Sequence, residues 1–291
     1  MHPAPSVILF TVLSGMGFGL LAFLGLGLHA PAGWTAFFHW GLGYALAVGG
    51  LSASAFHLGN PKRALKAFSQ WQSSWLSREA WTSVAALVVL APVALSDWLG
   101  LGWPRLAGLI GAGLCVATVG TTSMIYAQLA SIPRWHNWTT PALYLAFMVM
   151  GGALLSGNGV VSLLAGIGLG LALIAAFRVG DGAFGRAAQT IGTATGLDRI
   201  GEATVFEPPH TGQNYLLREM IHVVARRHVA KLRAIALGAG VVLPVLAVLI
   251  LPHHPLSFAV AAALHLIGAL AARWLFFAEA EHVVGLYYGK R

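Results

Sequence analysis

The sequence predicts an all-α integral membrane fold, a bundle of eight transmembrane helices with both termini cytoplasmic, and three observations carry that prediction. Hydrophobic residues make up 57% of the chain and charged residues only 9%, with a mean hydropathy of +0.76. A soluble surface needs far more charged side chains than this. Crossing a bilayer takes about 20 apolar residues, and the chain is a succession of such runs. Finally, Lys and Arg fall almost entirely on one side of those runs, which sets orientation.

In order, the predicted spans are Ser6–Leu28, Ala36–Phe56, Ala80–Leu95, Leu106–Leu129, Pro141–Leu155, Val160–Phe177, Leu232–Leu251 and Leu256–Phe277. The third and fifth are short and are expected to extend a turn into their flanks, where Trp81, Trp98 and Trp138 read as interfacial anchors. The first lacks a basic leader and a small-residue cleavage site, so it reads as a retained helix. Many of the 36 glycines fall in small-xxx-small patterns such as Gly15–Gly19 and Gly166–Gly170, which let helices approach closely in lipid. They need no phosphate-binding explanation.

Of the 17 Lys and Arg, Arg105 alone lies on the opposite side and Arg273 lies within the last span. The rest flank the spans on what is therefore the cytoplasmic face of the inner membrane. The net charge of +8 is thus a topology signal, and nucleic acid is not an expected partner. Residues 1–291 read as one polytopic membrane domain, with residues 178–231 forming a cytoplasmic loop. From that loop into the start of the next span, residues 214–233 (NYLLREMIHVVARRHVAKLR) place Leu216, Met220, Val223, Val224 and Ala230 near helical spacing. They read as a basic amphipathic helix on the interface, either holding lipid headgroups or docking a soluble partner.

The most polar stretch between two spans runs from His57 to Glu79, HLGNPKRALKAFSQWQSSWLSRE. His57 closes the second span and Glu79 opens the third, so both can lie at one depth. This combination suits quinone chemistry at a headgroup. Reducing a quinone moves two protons, and an imidazole near neutrality is a suitable exchanger, with Glu79 as an onward relay. Lys62 or Arg63 can stabilise developing negative charge, and Trp71, Trp75 or Trp135 can lie against a ring. Tyr126 and the loop carrying Arg134, Trp135 and His136 can complete the rim. The plainer readings stand beside these: a histidine favouring a helix C-terminus, an acid favouring an N-terminus, basic topology signals, an aromatic belt and a tight interfacial turn.

The one cysteine, Cys115, can neither hold an iron–sulfur cluster, which takes about four ligands, nor form an internal disulfide; any cluster must sit on a partner. No protein metal site is expected. Haem b would need two axial ligands at similar depth. His265 is the only mid-span histidine and lacks a partner there, so no haem is expected and His265 reads as a helix–helix hydrogen-bonding residue. A haem-bearing anchor and a transporter are the competing classes. For the transporter, Pro92 and Pro244 interrupt apolar runs, yet not at matching positions of two halves.

With HLGNPKRA at His57–Ala64, SRE at Ser77–Glu79, Tyr126 followed by SIPRWHNWTTP at Ser131–Pro141, and Arg273 before an aromatic run, most of the chain resembles the membrane anchor subunits of DMSO-reductase-type complex iron–sulfur molybdoenzymes. The resemblance implies a haem-free eight-helix subunit that binds quinone, ubiquinone or menaquinone. It would exchange electrons with a ferredoxin-like iron–sulfur subunit joined to a molybdopterin catalytic subunit. It also implies that His57 acts in quinol chemistry and that Glu79 lies near the same site. Periplasm-facing members place basic residues in the first loop. Here His29–Trp34 has none and the second loop has four, so the docked subunits are expected on the cytoplasmic face, as in the sulfite-oxidising type. A quinol-oxidising anchor of a DMSO or related reductase is the alternative direction.

Overall fold

The computed structural model describes residues 1–56, 60–207, 209–212, 214–221 and 228–289; His57 therefore lies outside the described residues. Among the described residues the chain is helical with no strand. Eight long helices occupy the eight predicted positions: α1 Pro5–Gly25, α2 Gly33–Ala55, α3 Trp75–Leu99, α4 Leu106–Ala127, α5 Thr139–Leu155, α6 Gly159–Asp181, α7 Val229–Ile250 and α8 Pro255–Ala278. Six of them, α1, α3, α4, α6, α7 and α8, are long and apolar enough to cross a membrane. By length and composition the other two fall short: α2 is diluted by glycine, serine, His39 and tryptophan, and α5 has only 17 residues. The third predicted span does extend into its flanks, because α3 begins at Trp75 and runs to Leu99.

α1 is the central post. It is 83% buried over its apolar stretch, against 22% for α6, and it packs on α2, α4, α5 and α8. Small residues make this possible: a Cβ on Gly19 would lie 2.2 Å from the Met148 carbonyl oxygen of α5, whereas Gly15, its partner in the sequence pattern, meets nothing. One core joins α1 to α2, α3 and α4 through Phe18, Leu21, Trp40, Leu90 and Val119. A second joins α1 and α5 to α6, α7 and α8 through Met16, Phe147, Leu173, Val248 and Leu275. On the outside, α6 exposes Val160, Leu164, Ile167 and Leu171, spaced so that they share one face. An apolar outer face on a helix already packed by its inner face is the mark of a lipid-facing helix.

α7 departs from α-geometry between Gly238 and Val242, where it makes a π-helical turn. Pro244 follows directly. Having no N–H, it leaves the Gly240 carbonyl, four residues earlier, without its helical partner. That carbonyl accepts instead from His265 Nδ1 of α8 at 2.7 Å, the interhelical role expected of His265. The crossing is close: a Cβ on Gly268 would fall 2.0 Å from the Gly240 nitrogen.

At the end of the bundle that carries the α2–α3 and α4–α5 connections, Arg134, Asp181, Arg233 and Glu279 form one ion cluster. Arg134 reaches Glu279 at 2.6 Å and Asp181 at 3.0 Å, and Arg233 contacts both acids. The cluster ties the α4–α5 loop, the end of α6, the start of α7 and the end of α8. Of the expected amphipathic helix, Leu216–Met220 forms one π-helical turn. Residues 222–227 lie outside the described residues, and Val229 onward belongs to α7.

Candidate functional site

A cavity of about 660 Å³ opens at the α2–α3 junction, within the range of about 300–1,000 Å³ typical of small-molecule sites. Leu51, Ser54 and Ala55 of α2 form one wall and Leu76 to Val84 of α3 the other. A 3₁₀ strap, Pro61–Phe68, crosses it and contributes Arg63, Ala64, Lys66 and Phe68. Proline at the first helical position suits such a start, and the return to the membrane is pinned by side chains of α3. Trp81 Nε1 donates to the Phe68 carbonyl at 3.0 Å, with the two rings edge-to-face. Arg78 donates to the carbonyls of Trp71 at 3.0 Å and Gln72 at 2.7 Å, its guanidinium lying 4.2 Å from the centre of the Trp75 ring.

Glu79 lines this cavity and is only 4% exposed. Its carboxylate accepts from the Thr122 hydroxyl of α4, and among the described residues no ion pair is formed by Glu79. Arg63 and Lys66 of the strap line the same cavity. Two basic groups at the mouth and one buried carboxyl deeper in, between apolar walls, fit a flat, uncharged, proton-accepting headgroup with an apolar tail. Among the described residues no group of three or more His, Cys, Asp or Glu is arranged to hold a metal ion.

The sequence-predicted residues divide. Arg63 and Glu79 come together. Ala55 and Asn60, which flank residues 56–59 in the chain, line the same cavity; His57 itself is outside the described residues. Trp71 is exposed and Trp75 caps Arg78, and neither lines the cavity. Tyr126 and Trp135 sit in a separate aromatic core with Tyr144, Phe276 and Phe277. There Trp135 stacks on Phe276, ring centres 5.0 Å apart and nearly parallel, and donates to the Phe276 carbonyl at 2.8 Å. Such pairs add about 0.5–1.5 kcal/mol beyond area burial, so the tryptophan that reads as a headgroup platform anchors the α4–α5 loop to α8.

Sequence reasoning read Lys66 only as part of the basic patch and a topology signal, and missed Thr122. Lys66 is one helical turn from Arg63, a legible signal. Thr122 sits in the run Thr121-Thr122-Ser123 of an apolar helix, where hydroxyls usually bond the preceding turn; nothing local marks the one that also meets Glu79.

These features define a polytopic helical membrane protein with a ligand-sized cavity, lined by the buried Glu79 carboxyl and a basic strap, at one end of the bundle. Residues 1–176 match the DMSO reductase anchor subunit (DmsC) family, and the chain belongs to that family: it is the membrane anchor subunit of a DMSO-reductase-type complex. A sulfite dehydrogenase subunit of Allochromatium vinosum is 30% identical to it over 99% of both chains. No solved structure matches.

Proposed function

We propose that this chain is the quinone-reactive subunit of an oxidoreductase, passing electrons from a partner iron–sulfur subunit into the membrane quinone pool. By the name of its relative, sulfite is the donor oxidised by the complex's molybdopterin subunit. In this reading all eight long helices span the inner membrane: α2 and α5 are carried across by packing on α1 rather than by their own apolarity. The basic end, with both termini, the cavity and the partner subunits, faces the cytoplasm by the charge asymmetry.

The observation that supports this best is the buried Glu79, bonded to Thr122, on the wall of a cavity that the strap bearing Arg63 and Lys66 crosses. Quinone, when bound there, accepts two electrons and two protons. The chain's own residues supply the rest. Arg63 and Lys66 provide positive charge where negative charge develops. Glu79 holds a proton at its carboxyl within reach of the cavity, oriented by the Thr122 hydroxyl. His57, which precedes the strap in the chain, exchanges protons with the aqueous side. Ser54, Ser77 and Ser83 also line the cavity.

The test uses the purified complex carrying His57→Ala or Glu79→Gln. Each is expected to lower quinone reduction while the complex stays intact on gel filtration. Wild-type turnover in both assembled variants would sink the assignment.

A further inference from the structure

A second cavity lies deeper in the bundle, between α1, α4, α5 and α8, lined by Thr11, Met16, Tyr144, Phe147, His265 and Arg273. Three polar atoms on its lining have no hydrogen-bond partner among the described residues: the Tyr144 hydroxyl, His265 Nε2 and Arg273 Nη1. Their side chains are all nearly or fully buried, at 2%, 0% and 3% exposure. Burying one polar atom without a partner is costly, and three on one cavity point to a shared ligand.

The chemistry of the three atoms says which ligand. His265 Nδ1 faces the Gly240 carbonyl at 2.7 Å. A carbonyl only accepts, so Nδ1 carries the proton and Nε2 is a bare acceptor. Arg273 Nη1 only donates, its guanidinium lying 3.6 Å from the centre of the Tyr144 ring. Tyr144 does either. The cavity volume is about 10 Å³, close to the ~10–15 Å³ that one water needs on that measure. A water accepting from Arg273, donating to His265 and sharing a bond with Tyr144 satisfies all three.

The site is not isolated. The Tyr144 ring stacks on Tyr126, centres 5.9 Å apart. Tyr126 stands one helical turn after Thr122 on α4, and Thr122 bonds Glu79. The ionisable groups carried by these elements are Arg78, Glu79 and Asp97 of α3, Cys115 and Tyr126 of α4, Tyr144 of α5, and His265 and Arg273 of α8. α1 contributes none.

We propose that Tyr144, His265 and Arg273 bind an internal water, and that this water with Tyr144 and Tyr126 forms a buried proton branch serving Glu79. This rests on the quinone reading above and extends it. The three are positioning residues: Arg273 donates to the water, His265 Nε2 accepts from it, Tyr144 does either, and none need touch quinone. Arg273 supplies the fixed charge that orients the water, and the His265 tautomer is set by the carbonyl that Pro244 frees.

The experiment measures quinone reduction by the intact complex in nanodiscs, in H2O and D2O, for wild type, Tyr144→Phe, Arg273→Met, Arg273→Lys and Glu79→Gln. It is paired with a high-resolution cryo-electron microscopy map of the wild type. Density for a water between the three side chains is expected. Tyr144→Phe and Arg273→Met should lower kcat roughly tenfold, a little under the usual range for proton-transfer groups, with KM unchanged and a larger solvent isotope effect; Arg273→Lys should recover part of the loss. Assembled Tyr144→Phe and Arg273→Met with wild-type kcat and isotope effect, alongside an inactive Glu79→Gln, would overturn the branch and leave the quinone reading standing. A fully active Glu79→Gln would instead remove the reading on which the branch rests.

Discussion

Two buried glutamates stand at the same end of this bundle and have opposite surroundings. Glu79 is 4% exposed, beside a ligand-sized cavity, with one neutral hydroxyl as its partner among the described residues. Glu279 is 8% exposed and is held by two guanidinium groups, Arg134 at 2.6 Å and Arg233 at 2.6 Å. Burial is common to both; the counter-charge is not. A carboxyl between two arginines joins the elements that bring those arginines, and protonating it would undo the joint. One with a single hydroxyl partner can gain or lose a proton without breaking a structural tie. The contrast separates a residue suited to chemistry from one suited to architecture.

Exchanging each acid for its amide puts that contrast to the test. Glu79→Gln is expected to lower quinone turnover about 100-fold or more, the lower bound for losing a general acid–base group, with little change in thermal stability. Glu279→Gln should act the other way. It leaves two arginines short of charge and should destabilise the complex by about 2–3 kcal/mol. That is below the ~3–5 kcal/mol for breaking a fully buried pair, because Asp181 and Arg233 are partly exposed and solvent-screened. Turnover per assembled complex should be unaffected. Turnover and melting temperature measured on both variants check the pair, and a Glu279→Gln that is stable but inactive would erase the distinction.

Thr122→Val comes next in size. It removes the Thr122 bond to Glu79 at nearly constant volume, and a roughly tenfold loss of turnover is expected from a bond to a charged or proton-bearing group worth about 1.5 kcal/mol. An unchanged rate would mean that Glu79 does not need orienting.

A weaker effect is expected at the far end of the bundle, where His29, His39, His253 and His254 line a cavity of about 420 Å³. Burial, and then His39 beside it, hold the His29 imidazole below its ordinary value of 6.5. The unfolded chain therefore binds the proton more readily there. The His29 contribution is fully present above pH 6.5 and is lost as pH falls below it. The complex should melt slightly lower at pH 5.5 than at pH 7.5, and His29→Asn should flatten that slope. Because His29 is only half-buried the change is small, and an unaltered pH slope in His29→Asn would refute it.

Fold and site differ in how much of each is legible from the residues alone. All eight helices follow from apolar runs, because a chain that is predominantly hydrophobic has few ways to hide a helix boundary. The α2–α3 junction stands out for the same reason in reverse, as the densest polar stretch between spans. Trp135, Tyr126 and Trp75 read equally well as cavity walls, since an aromatic residue at an interface has the same local signature whether it meets a ligand, an arginine or another ring. The ion cluster leaves no such trace: Arg134 and Glu279 are 145 residues apart, and no spacing rule connects them.

Local composition and charge were therefore enough for the class of this protein, the positions of its helices and the stretch where a polar site could form, because bilayer insertion is governed by those two properties. Packing settled the remainder: which acid is free and which is tied, which threonine meets Glu79, and that the Gly240 carbonyl released by Pro244 is taken up by His265. Those outcomes depend on which helix faces cross, and in a bundle where nearly every face is apolar the crossings are selected by a few small residues and long-range polar pairs that no single segment contains.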